Sequence, residues 1–309
     1  VVKDGIDIKT GLPIVSLYGK SKKPKFGRLS EAENLEYDIE TGDSQIDLII
    51  FDLQDVGARF YTYISTLHYV MEACAEQNIP MLLLDRPNPN GHYIDGPILE
   101  SEYKSFVGMH PVPVVHGMTI GEYAQMINGE GWLANGIKCE LTVIPMKNYN
   151  HQTSYNLPIK PSPNLPNAKA INLYPSLCFF EGTNVSVGRG TDKQFQIYGS
   201  PFLPKGDLSF TPHPNIGSKH PKHEGNVCHG FDLTHAETLN SIHLDYLIDA
   251  YINTDNKSEF FNPFFTKLAG TKALQDQIEK HYTINQIKAS WKKGLEAYNI
   301  MRKAYLLYD

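Results

Sequence analysis

Cysteine is scarce: four in 309 residues, Cys74, Cys139, Cys178 and Cys228, far apart and with no CxxC pair. That argues against a zinc site or a disulfide framework and for buried thiols. No stretch approaches the run of about 18 apolar residues that a membrane-spanning helix requires. Positive charge is short as well, with 28 Lys and Arg against 34 Asp and Glu, a net charge of -6 and no long basic run. The electrostatic footprint of a nucleic-acid-binding protein is therefore missing. Neither GxGxxG nor GxxxxGK[ST] is present, and VGARF and GRGTDK lack the spacing, which disfavours a nucleotide-dependent enzyme. HExxH, GxSxG and an EF-hand loop are also absent, leaving metalloprotease and α/β-hydrolase readings little support. The chain opens on VVKDGIDIKTGLP with neither initiator Met nor signal peptide, as a mature or trimmed product would.

What is present is an ordinary globular composition, long enough for two domains, with 18 Tyr and 14 Phe. Aromatic surface often serves saccharide binding, although most of these rings belong in a core. The pattern IDLIIFD at 46–52 reads as a buried parallel strand, and the following segment puts Phe60, Ile64, Leu67, Met71 and Cys74 on one helical face. PMLLLD at 80–85 is a second strand, VPVVHG at 112–117 a third, a helix begins near Thr119, and CELTVIPM at 139–146 is a further strand. This βαβ order predicts an α/β fold: a Rossmann-like parallel-sheet domain over 1–200, then a smaller mixed α+β domain over 201–309. Residues 157–167, LPIKPSPNLPN, must run extended. The stretch 199–233 reads as loop with short strands, and Thr283 and Gln286 form a capping box ahead of an amphipathic helix bearing Ile284, Ile287, Trp291, Leu295 and Tyr298.

In parallel sheets ligands bind beyond the carboxyl ends of the strands, which here carry DLQDVGARF, DRPNPNG and HGMT. Asp52 and Asp55, with Arg59 close behind, and Asp85 with Arg86 are candidate acids and anion contacts or, equally, structural pairs. Arg86 has the planar fork that grips a carboxylate. His116 lies at a strand end and is a candidate ligand contact. Glu122 sits in Thr119-Ile-Gly-Glu122, a capping box that turns its carboxylate back on its own helix. His213, His220, His223 and His229 lack a compact ligand spacing, so neither a metal nor a cofactor is expected. Glu181, in CFFEGTNVSVGRGT, has no helix-start motif to explain it. A carboxyl beside aromatic side chains loses hydration and suits proton donation; acceptance of N–H bonds in its own glycine turn is the alternative.

The strings FDLQDVGARFYTYISTL, LLLDRPNPNG, HGMTIGE, PSPNLP and FFEGTNVSVGRGT, in this order, resemble the bacterial exo-β-N-acetylmuramidases, a glycoside hydrolase family formerly catalogued as a domain of unknown function. The resemblance runs from TGLPIVSLYG at residue 10 to the C-terminus. It implies release of terminal N-acetylmuramic acid from the non-reducing end of peptidoglycan fragments, in cell wall turnover, at an extracytoplasmic location. Within these motifs the expected catalytic acid is Glu181, with Asp52 or Asp55 as fallback, and the expected substrate contacts are Arg59, Tyr61, Arg86, Asn88, His116, Asn164 and Arg189. The lactyl carboxylate of the sugar would give Arg59, Arg86 or Arg189 an anion to pair with. Family members also carry an N-terminal βαβ segment with a Pro-Glu-His-Gly motif whose glutamate is a leading catalytic candidate. No such string occurs in these 309 residues, so the chain is expected to begin just after it. A non-catalytic saccharide-binding protein using the same cleft is the competing expectation.

Overall fold

The computed structural model describes residues 4–16, 22–24 and 46–308. A two-residue ladder, β1 (Gly5–Ile6) against β2 (Pro13–Ile14), precedes the first layer. That layer is a parallel sheet in the order β3 (Ile49–Phe51), β4 (Met81–Leu84), β5 (Leu141–Ile144), with α1 (Tyr63–Gln77) and α2 (Ile120–Gly129) as crossovers. Phe51, Met81 and Leu83 point inward onto Ile64, Leu67 and Met71 of α1 and Ile120 and Ile127 of α2. The other face is open among the described residues: Ile50 is 60% and Ile144 44% exposed. The strands thus alternate in burial, where continuous apolar runs predicted strands buried on both faces.

VPVVHG is not a sheet strand, which corrects that expectation. Pro111 and Pro113 withhold two ladder donors, and Val115 makes only isolated bridges, to Ala58 and Asp95. The helix after it forms as its capping box predicts: Thr119 Oγ1 accepts from Glu122 N, and the Glu122 carboxylate accepts from Thr119 N.

The second layer begins at α3 (Ala168–Leu177), capped by the Asn167 side chain. The proline-rich passage before it is non-helical but not extended throughout, because it turns at 163–164, where Leu165 N donates to Ser162 O. Pro175 lies inside α3. A proline has no N–H, so the carbonyl four residues earlier loses its helical donor. That carbonyl belongs to Ile171, and the Asn90 side-chain amide fills the gap at 3.0 Å while also donating to Val56 O. A would-be helix breaker therefore fastens α3 to the loops that follow β3 and β4. An antiparallel sheet in the order β6 (Ile197–Ser200), β8 (Cys228–Asp232), β7 (Leu208–Phe210) follows. Then come α4 (Asp245–Asn253), α5 (Phe264–Ala269), α6 (Ala273–Glu279) and α7 (Ile284–Arg302).

Helix α7 opens with its expected capping box and joins the two cores. Ile287 and Trp291 belong to the cluster around α3 to α6, whereas Tyr298 belongs to the one beneath the parallel sheet. Among the described residues no helix is long and apolar enough to cross a membrane.

Candidate active site

The loops at the strand ends are held largely by one another. Asp55 is buried, its Oδ2 accepting from Gly57 N at 2.7 Å and lying 3.4 Å from His116 Nε2. Gly57 has φ +79°, and a Cβ there would meet Asn88 Oδ1 at 2.3 Å, so the turn needs glycine twice over. Asn88 spends Nδ2 on Met118 O and Oδ1 on Asn90 N. His116 is fully buried, and its carbonyl accepts from Tyr298 of α7 at 2.7 Å. Tyr61 donates to Pro161 O at 2.8 Å and Asn164 to Gly217 O at 2.7 Å, both side chains nearly withdrawn from solvent.

Asp85, which sequence proximity paired with Arg86, instead accepts from Thr119 Oγ1, Gly121 N and the Tyr308 hydroxyl, docking the chain's end onto the first layer. Burial raises the pKa of its carboxyl despite those donors. These polar loops bind mainly the protein itself.

Arg59 is the most enclosed of the expected anion contacts. Its guanidinium is 0% exposed and donates to four carbonyls, Pro97 and Val112 from the first layer and Leu268 and Ala269 at the end of α5. Those last two are carbonyls that a helix terminus leaves without partners. Four Nη bonds to the protein and full burial make Arg59 a structural clamp in this arrangement rather than an open anion contact. His116, expected to touch ligand, is likewise enclosed.

Two acid–base pairs remain partly open to solvent. Asp52 meets Arg86 in a two-pronged pair, Nε to Oδ1 at 2.5 Å and Nη2 to Oδ2 at 2.9 Å, with both side chains 41% exposed. Glu181 meets Arg189 Nε at 3.0 Å, with exposures of 25% and 30%. Glu181 lies in a single 3-10 turn, Cys178–Gly182, that continues α3. Buried Phe179 and Phe180 anchor that turn, with Phe180 stacked on Tyr198 at 5.0 Å. Arg189 lies 5.0 Å from the Phe195 ring, itself packed on Tyr174 of α3, and Tyr174 packs on Phe60 of the β3–α1 loop. Burial pulls the Arg189 pKa down and the Glu181 carboxylate more than offsets it, so the guanidinium stays charged. Glu181 thus faces a cation rather than rings alone.

Behind the turn lies a group that no sequence pattern announced. Lys222 Nζ donates to Phe180 O, Thr183 O and Val185 O at 2.8, 2.5 and 2.9 Å, and its charge also faces Glu181. Lys222 is remote in sequence from that turn, so only the fold reveals the contact. Gly182 lets α5 close in: a Cβ there would meet Phe265 Cα at 2.4 Å and N at 2.7 Å. Gly182→Ala is expected to cost about 1–3 kcal/mol by forcing α5 off the turn, read as a lower urea midpoint.

A shallow hollow of about 390 Å³ along α7, lined by Asp95, Lys288, Lys292 and Glu296 among others, includes none of these residues. Its lysines are already paired, with Asp95 and Glu296. No group of three or more His, Cys, Asp or Glu among the described residues could hold a metal ion.

The N-terminal family model of the exo-β-N-acetylmuramidase NamZ matches residues 1–169 and the C-terminal one residues 172–308. The chain belongs to this family. It is 38% identical to the peptidoglycan β-N-acetylmuramidase NamZ of Bacillus subtilis strain 168 over 336 aligned positions, covering 98% of this chain and 74% of that protein. Two crystal structures of DUF1343 family proteins from Bacteroides fragilis NCTC 9343 share its fold. One is 50% identical with a TM-score of 0.88, the other 25% identical with a TM-score of 0.78; each alignment spans 98% of this chain and 82% of the other.

Proposed function

We propose that the protein is an exo-β-N-acetylmuramidase, a glycosidase that releases N-acetylmuramic acid from the non-reducing end of peptidoglycan fragments outside the cytoplasm. The observation that carries this reading is the family match over both halves of the chain, reinforced by 38% identity to a peptidoglycan β-N-acetylmuramidase. Glycoside hydrolysis ordinarily needs two carboxyl groups, about 5 Å apart for retention or about 6.5–9.5 Å for inversion. Glu181 is the first of them in this reading. Its exposure and its place on a turn fastened from behind suit a carboxylate held in fixed geometry toward substrate. With Arg189 Nε at 3.0 Å, it is placed to take a proton from water or to face the positive charge that develops on the sugar ring.

Asp52 is the partner in this chain that keeps its carboxylate accessible, whereas buried Asp55 positions its loop through Gly57 and His116. Arg189, partly exposed beside Glu181, is the contact for the lactyl carboxylate. Arg86 is second to it, because Asp52 already occupies its fork.

The protein is expected to release 4-nitrophenol from 4-nitrophenyl β-N-acetylmuramide and to leave the corresponding N-acetylglucosaminide intact. On a muramyl-terminated disaccharide, chromatography should show free N-acetylmuramic acid. Saturable binding of that disaccharide without turnover would instead make the protein a non-catalytic saccharide binder.

A further inference from the structure

We propose that Lys222 is a positioning residue for Glu181, and that loss of its proton releases the Glu181 turn and shuts the reaction down at alkaline pH. This rests on Glu181 acting in the glycosidase reaction proposed above.

The geometry is that of a staple. Lys222 Nζ reaches carbonyls on both sides of Glu181, that of Phe180 immediately before it and those of Thr183 and Val185 shortly after. An ammonium has three N–H donors, and here each has a carbonyl. The next residue repeats the device: His223 Nε2 lies 2.5 Å from Asn184 O, and because a carbonyl only accepts, that nitrogen carries the proton. His223 holds φ +61°, a left-handed backbone that costs a non-glycine residue strain. The same segment also touches the Arg189 loop. Gly190, at φ +83°, approaches Pro221 so closely that a Cβ would meet its ring at 2.7 Å. One short segment therefore fastens both the Glu181 turn and the loop of its partner.

The groups facing the Lys222 ammonium are Glu181 and Cys178 on the turn, Arg189 on the neighbouring loop and His223 beside it. Burial lowers the Lys222 pKa to about 8, with Arg189 adding to the fall and Glu181 and Cys178 opposing it. Above that pH the neutral amine keeps two hydrogens for three carbonyls. The turn then has one grip fewer, and a small displacement of a catalytic group costs on the order of 10²-fold in rate.

The test is the pH dependence of kcat for 4-nitrophenyl β-N-acetylmuramide in wild type, Lys222→Met and Lys222→Arg. Expected for Lys222→Met is a fall of about 10² in kcat at pH 7 with KM within about threefold, and no basic limb near pH 8. Lys222→Arg, whose charge survives to far higher pH, should restore much of kcat and carry the limb beyond pH 9. It serves by itself if the methionine variant does not fold. A side chain with only a structural role would lower the melting temperature and leave the limb in place. A limb unmoved in Lys222→Arg overturns the proposal.

A second readout needs no turnover. In a carbon-13 titration of the lysine Cε signals, one lysine should titrate near pH 8, be absent from Lys222→Arg and titrate lower still in Glu181→Gln. Lys222 titrating alike with and without the Glu181 charge also overturns the proposal. Absence of wild-type turnover with this coupling intact counts against the glycosidase reading alone.

Discussion

Glu181→Gln should lower kcat on a β-N-acetylmuramide by about 10³-fold, within the range that loss of a proton-transferring side chain produces, while KM changes by less than about threefold. Glutamine keeps the size of the side chain but can neither take a proton nor present a negative charge to the sugar ring. The substitution separates catalysis from stability because of where the pair sits. With 25% and 30% of the side chains exposed, the Glu181–Arg189 pair is partly solvated, and such pairs contribute roughly 0–1 kcal/mol. The anchoring of the turn comes from Phe179 and Phe180 beneath it and from the Lys222 bonds to the Phe180, Thr183 and Val185 carbonyls behind it; the substitution removes none of these groups, although it takes away the negative charge that faces the ammonium. Unchanged melting with lost turnover is therefore the expected combination. A variant that keeps wild-type kcat would remove Glu181 from the chemistry and pass the role to Asp52, whose own Asp52→Asn variant would then show the loss.

The parts of this architecture that were legible in the sequence are those written locally. Both capping boxes, at Thr119 and Thr283, need only residues three apart, and they form as the pattern requires. The strands of the parallel sheet are short apolar runs, and β3, β4 and β5 fall inside the predicted segments. VPVVHG misled because its composition is strand-like while Pro113 within it and Pro111 just before it deny it a ladder. Helix α3 was hidden for the converse reason: Pro175 spoils the helical pattern on paper, and its remedy, Asn90, lies far away in sequence.

The site divides along the same line. Glu181 and Arg189 stand in one quoted stretch and do meet. Arg59 and Asn88 stand in equally polar motifs but are bound to distant segments, and His116 is enclosed without solvent exposure. Polar richness at strand ends announces a loop that must satisfy its own backbone as readily as one that binds ligand, and burial separates the two. Lys222 left no trace, since a lysine between Pro221 and His223 has no local partner to predict.

Arg59→Met is expected to be the most destabilising of the substitutions discussed, by about 3–5 kcal/mol or more, the range for breaking a buried charged contact. Burial lowers the Arg59 pKa, to about 10, which leaves the guanidinium charged at neutral pH, so its four bonds are charge-assisted. Methionine replaces the stem and leaves the carbonyls of Pro97, Val112, Leu268 and Ala269 buried without this donor. Val112 O keeps the Leu99 N–H as a donor, so three acceptors are orphaned at about 1–3 kcal/mol each, and partial relaxation keeps the sum below three times that.

Two of the acceptors close helix α5, where a positive charge also meets the negative end of the helix dipole. Loss of Arg59 therefore loosens α5 from the first layer. Gly270 completes the fit: it takes φ +74° after α5, and a Cβ there would meet Arg59 Nη2 at 2.6 Å. Lysine should not rescue the position, because its single ammonium has three donors where the planar guanidinium spans carbonyls on two sides. Urea unfolding of Arg59→Met and Arg59→Lys checks this, and a midpoint within error of wild type for either would mean that the carbonyls find other donors. Because α5 also packs on Gly182, directly behind Glu181, the surviving folded fraction of Arg59→Met should lose kcat as well, although the Arg59 guanidinium is fully buried.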